Sequence, residues 1–232
     1  FFGLLSTCFT MPAITLTYFA IAGAGEKIRL ALALAGIPFE DKRIAFEEWP
    51  KVKPTMRYGQ LPMMTVDGKE IYQSEAMLRY VGRLHPSLYP ADKALAVDEI
   101  IGLINDLLQA WRPLLVIVRA PATFGYPEDY IKTDAGQATH KALKEKFATT
   151  DLPKFLGYFS ALLDGHTFLV GDEPTIADCM LVPALLFLMD NHIPISHMPS
   201  TCLDSHPAIK AYIDRFLALP AVKEFYNKAQ KP

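Results

Sequence analysis

The 232-residue chain is short of cysteine, of charge imbalance and of long apolar runs, and each shortage excludes something. Three cysteines, Cys8, Cys179 and Cys202, form no C-x-x-C and no Cys/His ligand spacing. An odd, scattered set argues against a disulfide framework, a structural zinc or a dithiol redox centre, and for a reducing compartment, hence a cytoplasmic location. Lys and Arg number 23 against 25 Asp and Glu, a formal net charge of -2, so no basic stripe invites nucleic acid as a partner. The apolar opening FFGLLSTCFTMP lacks the positive start of a signal peptide and is too short to span a bilayer. No other stretch reads as long and apolar enough for a membrane span. With Met11 resembling a natural start, residues 1–12 are set aside as an extension, either upstream sequence or the remnant of a longer leader.

What is present divides into two grammars. ITLTYF (14–19) is β-branched and aromatic, as a short strand requires. A small-residue loop, AIAGAG, leads into EKIRLALALAG, a helix with Ile28, Leu32 and Ala35 on one face and Gly36 and Pro38 as its stop. FEDKRI (39–44) returns as a strand. After the polar, proline-punctuated EEWPKVKPTMRYGQ, Asp67-Gly68 between two short apolar runs signals a hairpin, and Ser74 is placed to cap the helix SEAMLRYVGRL. From Ala91 onward strand signals stop. Residues 97–118, 142–163, 175–190, 208–219 and 221–229 read as helices parted by proline-rich joints, among them Pro127, Pro194 and Pro207. The expected architecture is α/β plus all-α: a small mixed sheet with helices over residues 13–86, then an all-helical domain over 87–232.

Several residues admit both a chemical and a plain structural role. Pro62 opens a strand, so it is either an edge proline or a cis proline that presents the Leu61 backbone to a ligand. Ser74 is an ordinary cap or part of an anion site at a helix N-terminus. Tyr18 either packs beside the core or offers its phenol to chemistry. Trp49 and Lys53 read as a surface aromatic and a solvated charge. Asp106 reads as part of a solvated helix face and Trp111 as core packing. Thr175-Ile-Ala-Asp178 is a capping-box variant opening an apolar helix, a folding device, and Cys179 behind it is a core residue.

LTYF, IRLALALAGIPFED, EEWPKVKPTM, YGQLPMMTVDG and QSEAMLRYVGR follow one another in the order and spacing of the glutathione transferases, and TIAD in the helical half matches too. Over residues 13–230 the chain resembles the sigma-like class, which includes the haematopoietic prostaglandin D synthases and the S-crystallins. The resemblance implies a thioredoxin-like first domain, β-α-β-α-β-β-α, and a cis Pro62. It implies that glutathione is the co-substrate, that the protein is a homodimer, and that Tyr18 activates the glutathione thiol for attack on small apolar electrophiles. By position, Leu61 would pair through its backbone with the cysteinyl unit. Gln73 and Ser74 would hold the γ-glutamyl carboxylate, Trp49 and Lys53 the glycyl carboxylate, and Gln60 would add a polar contact. Asp106 would reach across the dimer to the γ-glutamyl amine, and Phe19 and Trp111 would wall the electrophile pocket beside Ala24.

The chain also departs from that pattern. Ala24 stands where the sigma class often has arginine, which implies weaker or differently tuned thiol activation, and Lys27 stands where proline is common. Gly102 and Asn105 replace acids that some prostaglandin synthases use for a divalent ion, so no metal is expected. Glutathione-dependent isomerase or peroxidase action on lipid products uses the same nucleophile, and a lens-type or carrier protein would keep the fold without turnover; both stay open at this point.

Overall fold

The computed structural model describes residues 11–189 and 197–229. Cys8, the opening extension and the joint at Pro194 lie outside them. Strand β1 (Ile14–Phe19) pairs in parallel with β2 (Glu40–Ile44) and antiparallel with β3 (Met63–Val66), which pairs antiparallel with β4 (Lys69–Tyr72). The sheet order is β2-β1-β3-β4. Asp67 (φ 49°) and Gly68 (φ 79°) make the expected tight hairpin, and the Asp67 carboxylate also accepts the Ala13 N–H at 2.9 Å.

Helix α1 (Gly23–Leu34) follows β1, a short α2 (Trp49–Val52) occupies the proline-punctuated stretch, and α3 (Ser74–Leu84) closes the first half. The helices α4 (Ala94–Arg119), α5 (Asp134–Lys146), α6 (Leu152–Leu162), α7 (Ile176–Leu188), α8 (Pro207–Leu217) and α9 (Pro220–Ala229) follow. One apolar core joins the halves: Leu16 and Met64 of the sheet and Leu30 and Leu32 of α1 belong to the same buried cluster as Ile104 of α4 and Leu181 and Leu185 of α7. Helix α1 therefore lies between the sheet and the helical half, which puts the β1–α1 loop at their junction.

Three expectations need correction. The helix expected over 142–163 is two helices, joined by a wide π-type segment at Phe147–Asp151. Pro153 has no N–H to return to the preceding turn, so the hydrogen-bond ladder widens just ahead of it. Helix α4 is long and apolar enough to cross a membrane by length and composition, contrary to the reading that no such stretch exists. It is instead a core helix, with Val97, Ile100, Ile101, Ile104, Leu107, Trp111, Leu114 and Ile117 buried. Ser74 is the first residue of α3 rather than its cap. The cap position falls on Gln73, whose side chain makes no capping bond.

Candidate active site

Strand registry brings distant residues together. Thr17 pairs with Met63, and Met63 with Tyr72. One step further along each strand, Tyr18, Pro62 and Gln73 form a row across the same end of the sheet. The N-termini of α1 and α3 open at that end, and N-termini favour negative charge.

Tyr18 is 8% exposed. Its Oη accepts the Ala24 N–H at 3.1 Å, and among the described residues it donates to no acceptor. Burial pushes the phenol above its ordinary pKa, while the Ala24 N–H and the charges of Arg29 and Arg119 pull less strongly the other way. The group is thus a protonated donor whose hydrogen is uncommitted. Position 24 acts through its backbone, which explains how alanine serves there. The glycines of AIAGAG are required by the ring: a Cβ on Gly23 would lie 2.6 Å from Tyr18 Oη, and one on Gly25 would lie 2.7 Å from Cδ1. Gly23 also adopts φ 41°, a conformation open to glycine.

Arg29, which the sequence reading passed over, holds this loop. It is fully buried and lies 5.8 Å from the Tyr18 ring centroid. Its Nε donates to both Asp41 oxygens at 3.0 and 3.1 Å, and its guanidinium also reaches the carbonyls of Ile21 (2.9 Å) and Phe19 (3.4 Å) and the Glu26 carboxylate (3.1 Å). The available signal was an arginine set within the apolar run from Ile28 to Leu34.

At the other end of the row, Gln73 takes φ 71° and ψ 110°, a backbone state that costs a non-glycine residue roughly 1–3 kcal/mol. Gln73 and Ser74 line a cavity of about 480 Å³ with Glu75, Ala76, Arg79 and Arg83. The Ser74 hydroxyl makes no hydrogen bond among the described residues. The Leu61–Pro62 peptide is cis, as the resemblance implies. Leu61 makes no backbone hydrogen bond among the described residues. The exposed Lys53 side chain runs beside Gly59, where a Cβ would sit 3.6 Å from its Cε, and this sets it next to Gln60.

Phe19 and Trp49 meet edge to face at 5.4 Å between centroids, and Phe46 stacks on Phe19 at 4.7 Å. Phe19, expected as a wall of the pocket beside Tyr18, is not among the residues lining it. Its ring meets that of Tyr18 edge on at 5.4 Å between centroids, while packing on the Phe46 and Trp49 side. That pocket has a volume of about 390 Å³. Its apolar wall includes Trp111 and Phe187, in edge contact at 5.5 Å, with Leu108, Leu115 and Met180. Trp111 and Ala24 both line it. The Trp111 N–H is shielded from solvent and meets no acceptor among the described residues. Lys27 lines the pocket too and was noted in the sequence only as a departure. Asp106 lies on a different stripe of α4, lining a separate cavity of about 960 Å³ with Lys93, Tyr158 and His166, so its own chain does not bring it to the row.

The comparisons with known proteins agree with this fold. Residues 14–83 match the family model described as glutathione S-transferase, N-terminal domain, and residues 128–229 the one described as glutathione S-transferase, C-terminal domain. Glutathione S-transferase 1 of Ascaris suum is 34% identical over 223 residues, covering 95% of this chain and 98% of the relative. This chain is a member of the glutathione S-transferase family. Hematopoietic prostaglandin D synthase of Gallus gallus is 30% identical over 227 residues, with 95% and 98% of the two chains covered. The structure of prostaglandin synthase D of Nilaparvata lugens superimposes with a TM-score of 0.77 at 30% identity, covering 95% of this chain and all of the other. The sigma-like resemblance, the thioredoxin-like fold with its helical partner, and transferase function all stand. Within this glutathione S-transferase the conserved-looking TIAD segment is structural: Thr175 and Asp178 form a capping box, fully buried at the acid. Cys179 behind it is buried, and burial holds its thiol well above the ordinary range.

Proposed function

We propose that this transferase binds glutathione across the Tyr18–Pro62–Gln73 row and that Tyr18 Oη donates its free hydrogen to the sulfur. The observation that carries the proposal is a buried phenol which accepts the Ala24 N–H, stays protonated, and has a hydrogen without an acceptor. A thiol of ordinary pKa, about 8.5, needs a shift of roughly two units, about 2.7 kcal/mol, to be mainly thiolate at neutral pH. A hydrogen bond to a charged group contributes roughly 1.5–3 kcal/mol, so the phenol supplies most of that shift. The N-terminus of α1 adds to it.

In this reading Leu61 pairs through its unbonded backbone with the cysteinyl unit, and Gln73 and Ser74 take the γ-glutamyl carboxylate at the α3 N-terminus. Trp49 and Lys53 take the glycyl carboxylate, with Gln60 beside them. The thiolate then attacks an electrophilic carbon held in the apolar pocket under Trp111; the gain comes from positioning and from a charged nucleophile kept ready. Asp106, remote from its own site, fits a homodimer in which it serves the partner's glutathione. The two described cysteines are free, in keeping with a reducing, cytoplasmic setting, and conjugation of apolar electrophiles fits a role in detoxification. A second reading, glutathione-dependent isomerisation of lipid products, draws on the similarity to the prostaglandin D synthase of Gallus gallus and uses the same activated sulfur.

The test is Tyr18→Phe. Turnover of a chloronitroaromatic substrate should fall about 10- to 100-fold, the equivalent of one charged hydrogen bond, while glutathione affinity changes by less than about threefold. Equal turnover in the two proteins removes Tyr18 as the activator. Binding without turnover in the wild type would mark a carrier.

A further inference from the structure

The pocket beside Tyr18 is lined by a cation, Lys27, that no residue neutralises directly among the described residues. Lys27 is 8% exposed and lines this pocket, yet it makes no hydrogen bond or ion pair among the described residues. Its ammonium is not among the polar atoms sealed from solvent, unlike the Trp111 N–H, and the residue forms part of the cavity wall. The charges that influence it are Glu75 and Arg79 of α3, and these lie 3.6 Å from each other, engaged as an ion pair. Burial lowers the Lys27 pKa to about 8, which still keeps the group mostly protonated at neutral pH. Arg112 and Arg119 line the same pocket, and no acidic residue does. A buried ammonium with no partner is costly, and an anion brought into the cavity would relieve that cost.

Accepting the glutathione reading above, we infer that the second substrate is an organic acid, an apolar electrophile bearing a carboxylate, for which Lys27 is the counter-ion. In that reading the carboxylates of glutathione are taken by Gln73, Ser74, Trp49 and Lys53, none of which lines this pocket. The apolar wall would hold the body of the substrate, Tyr18 would hold the sulfur at one side, and the ammonium would fix which end of the molecule faces it. Lys27 is thus a specificity-determining residue.

The experiment compares a chloronitrobenzoate with the matching chloronitrobenzamide, each rate divided by its uncatalysed rate with glutathione. In both, thiol ionisation gives its proton to solvent and sulfur forms a bond to the chlorine-bearing carbon. The ring holds the electron pair, and chloride then departs with the C–Cl pair. The expected result is a preference of about tenfold in kcat/KM for the acid, carried by KM, of the size a partly buried charge pair provides. Lys27→Met should lower kcat/KM for the acid at least fivefold more than for the amide, while Lys27→Arg, which retains the charge, should keep the preference. A wild type that treats the two alike overturns the inference. So does a Lys27→Met enzyme that loses both substrates in equal proportion with a shifted thiol titration, since Lys27 would then act on the sulfur. A wild type that binds glutathione and turns over neither substrate overturns the conjugation reading itself.

Discussion

Two fully buried charges, Arg29 beside the site and Asp178 in the helical half, solve the same problem with opposite materials. Asp178 collects donors: the N–H and hydroxyl of Thr175 at 2.7 and 2.9 Å, the Leu169 N–H at 3.1 Å and the Tyr212 hydroxyl at 2.9 Å. Burial pushes its carboxyl up, and these four donors pull it back. Two of the four come from three residues away, so half the network belongs to the local helix start. Arg29 collects acceptors from β1, the loop, its own helix and β2, and only Glu26 is near in sequence. The first of these networks, that of Asp178, caps the start of a helix. The second fixes the geometry of a loop whose amide touches the phenol of Tyr18, so its effects should extend to chemistry.

Removing Arg29 is the strongest way to break that comparison. Arg29→Met strips a counter-charge from the buried Glu26 and the half-shielded Asp41 and should cost about 3–5 kcal/mol. Because the Ile21 and Phe19 carbonyls lose their donor, the β1–α1 loop should loosen, and the folded protein should lose turnover beyond what its stability explains. Chemical denaturation together with turnover per folded molecule measures both. Normal turnover per folded molecule would reduce Arg29 to a structural role equal to that of Asp178.

The helical side should respond less. Asp178→Asn keeps the shape and one acceptor but turns an amide toward donors, which leaves one donor unpaired at a cost of about 1–3 kcal/mol. Turnover per folded molecule should stay near wild type, since the residue is remote from the row. The same denaturation and turnover measurements decide it. A selective loss of turnover would mean that the two networks are coupled through the α1–α7 contact.

The different legibility of these networks extends to the whole chain. Signals contained within a few residues were readable: the Asp67-Gly68 hairpin, the alternation of β1, the Thr175–Asp178 box. Tyr18, Pro62 and Gln73 were nominated by resemblance and by motif, but their alignment in one row exists only through strand registry. The Arg29 network joins residues 10 and 12 positions apart with loop carbonyls that have no side-chain signature. Phe19 touches the Tyr18 ring yet is not among the residues lining the pocket, because it packs with Phe46 and Trp49, a cluster that sequence adjacency did not reveal. Lys27 was visible only as an oddity, since its meaning depends on a cavity that forms when α4 and α7 close over α1.

The finest distinction concerns how the phenol is held, and pH separates the cases. If Tyr18 gives its hydrogen to the sulfur, it must remain protonated while the thiol ionises. The two groups then need to titrate in the order thiol first, phenol last. Burial places the Tyr18 pKa above its ordinary value of 10.0, so the proton stays through that range even with Arg29 and Arg119 nearby. Turnover should therefore rise with thiol ionisation and remain level up to about pH 10, the ordinary pKa of a tyrosine, with no falling limb before it. A phenol whose charge was favoured by the Ala24 N–H and the arginines over burial would ionise earlier, and the profile would turn down below that point. Such a limb, present in the wild type and absent from Tyr18→Phe, would show that the amide at Ala24 stabilises a phenolate instead of aiming a neutral donor.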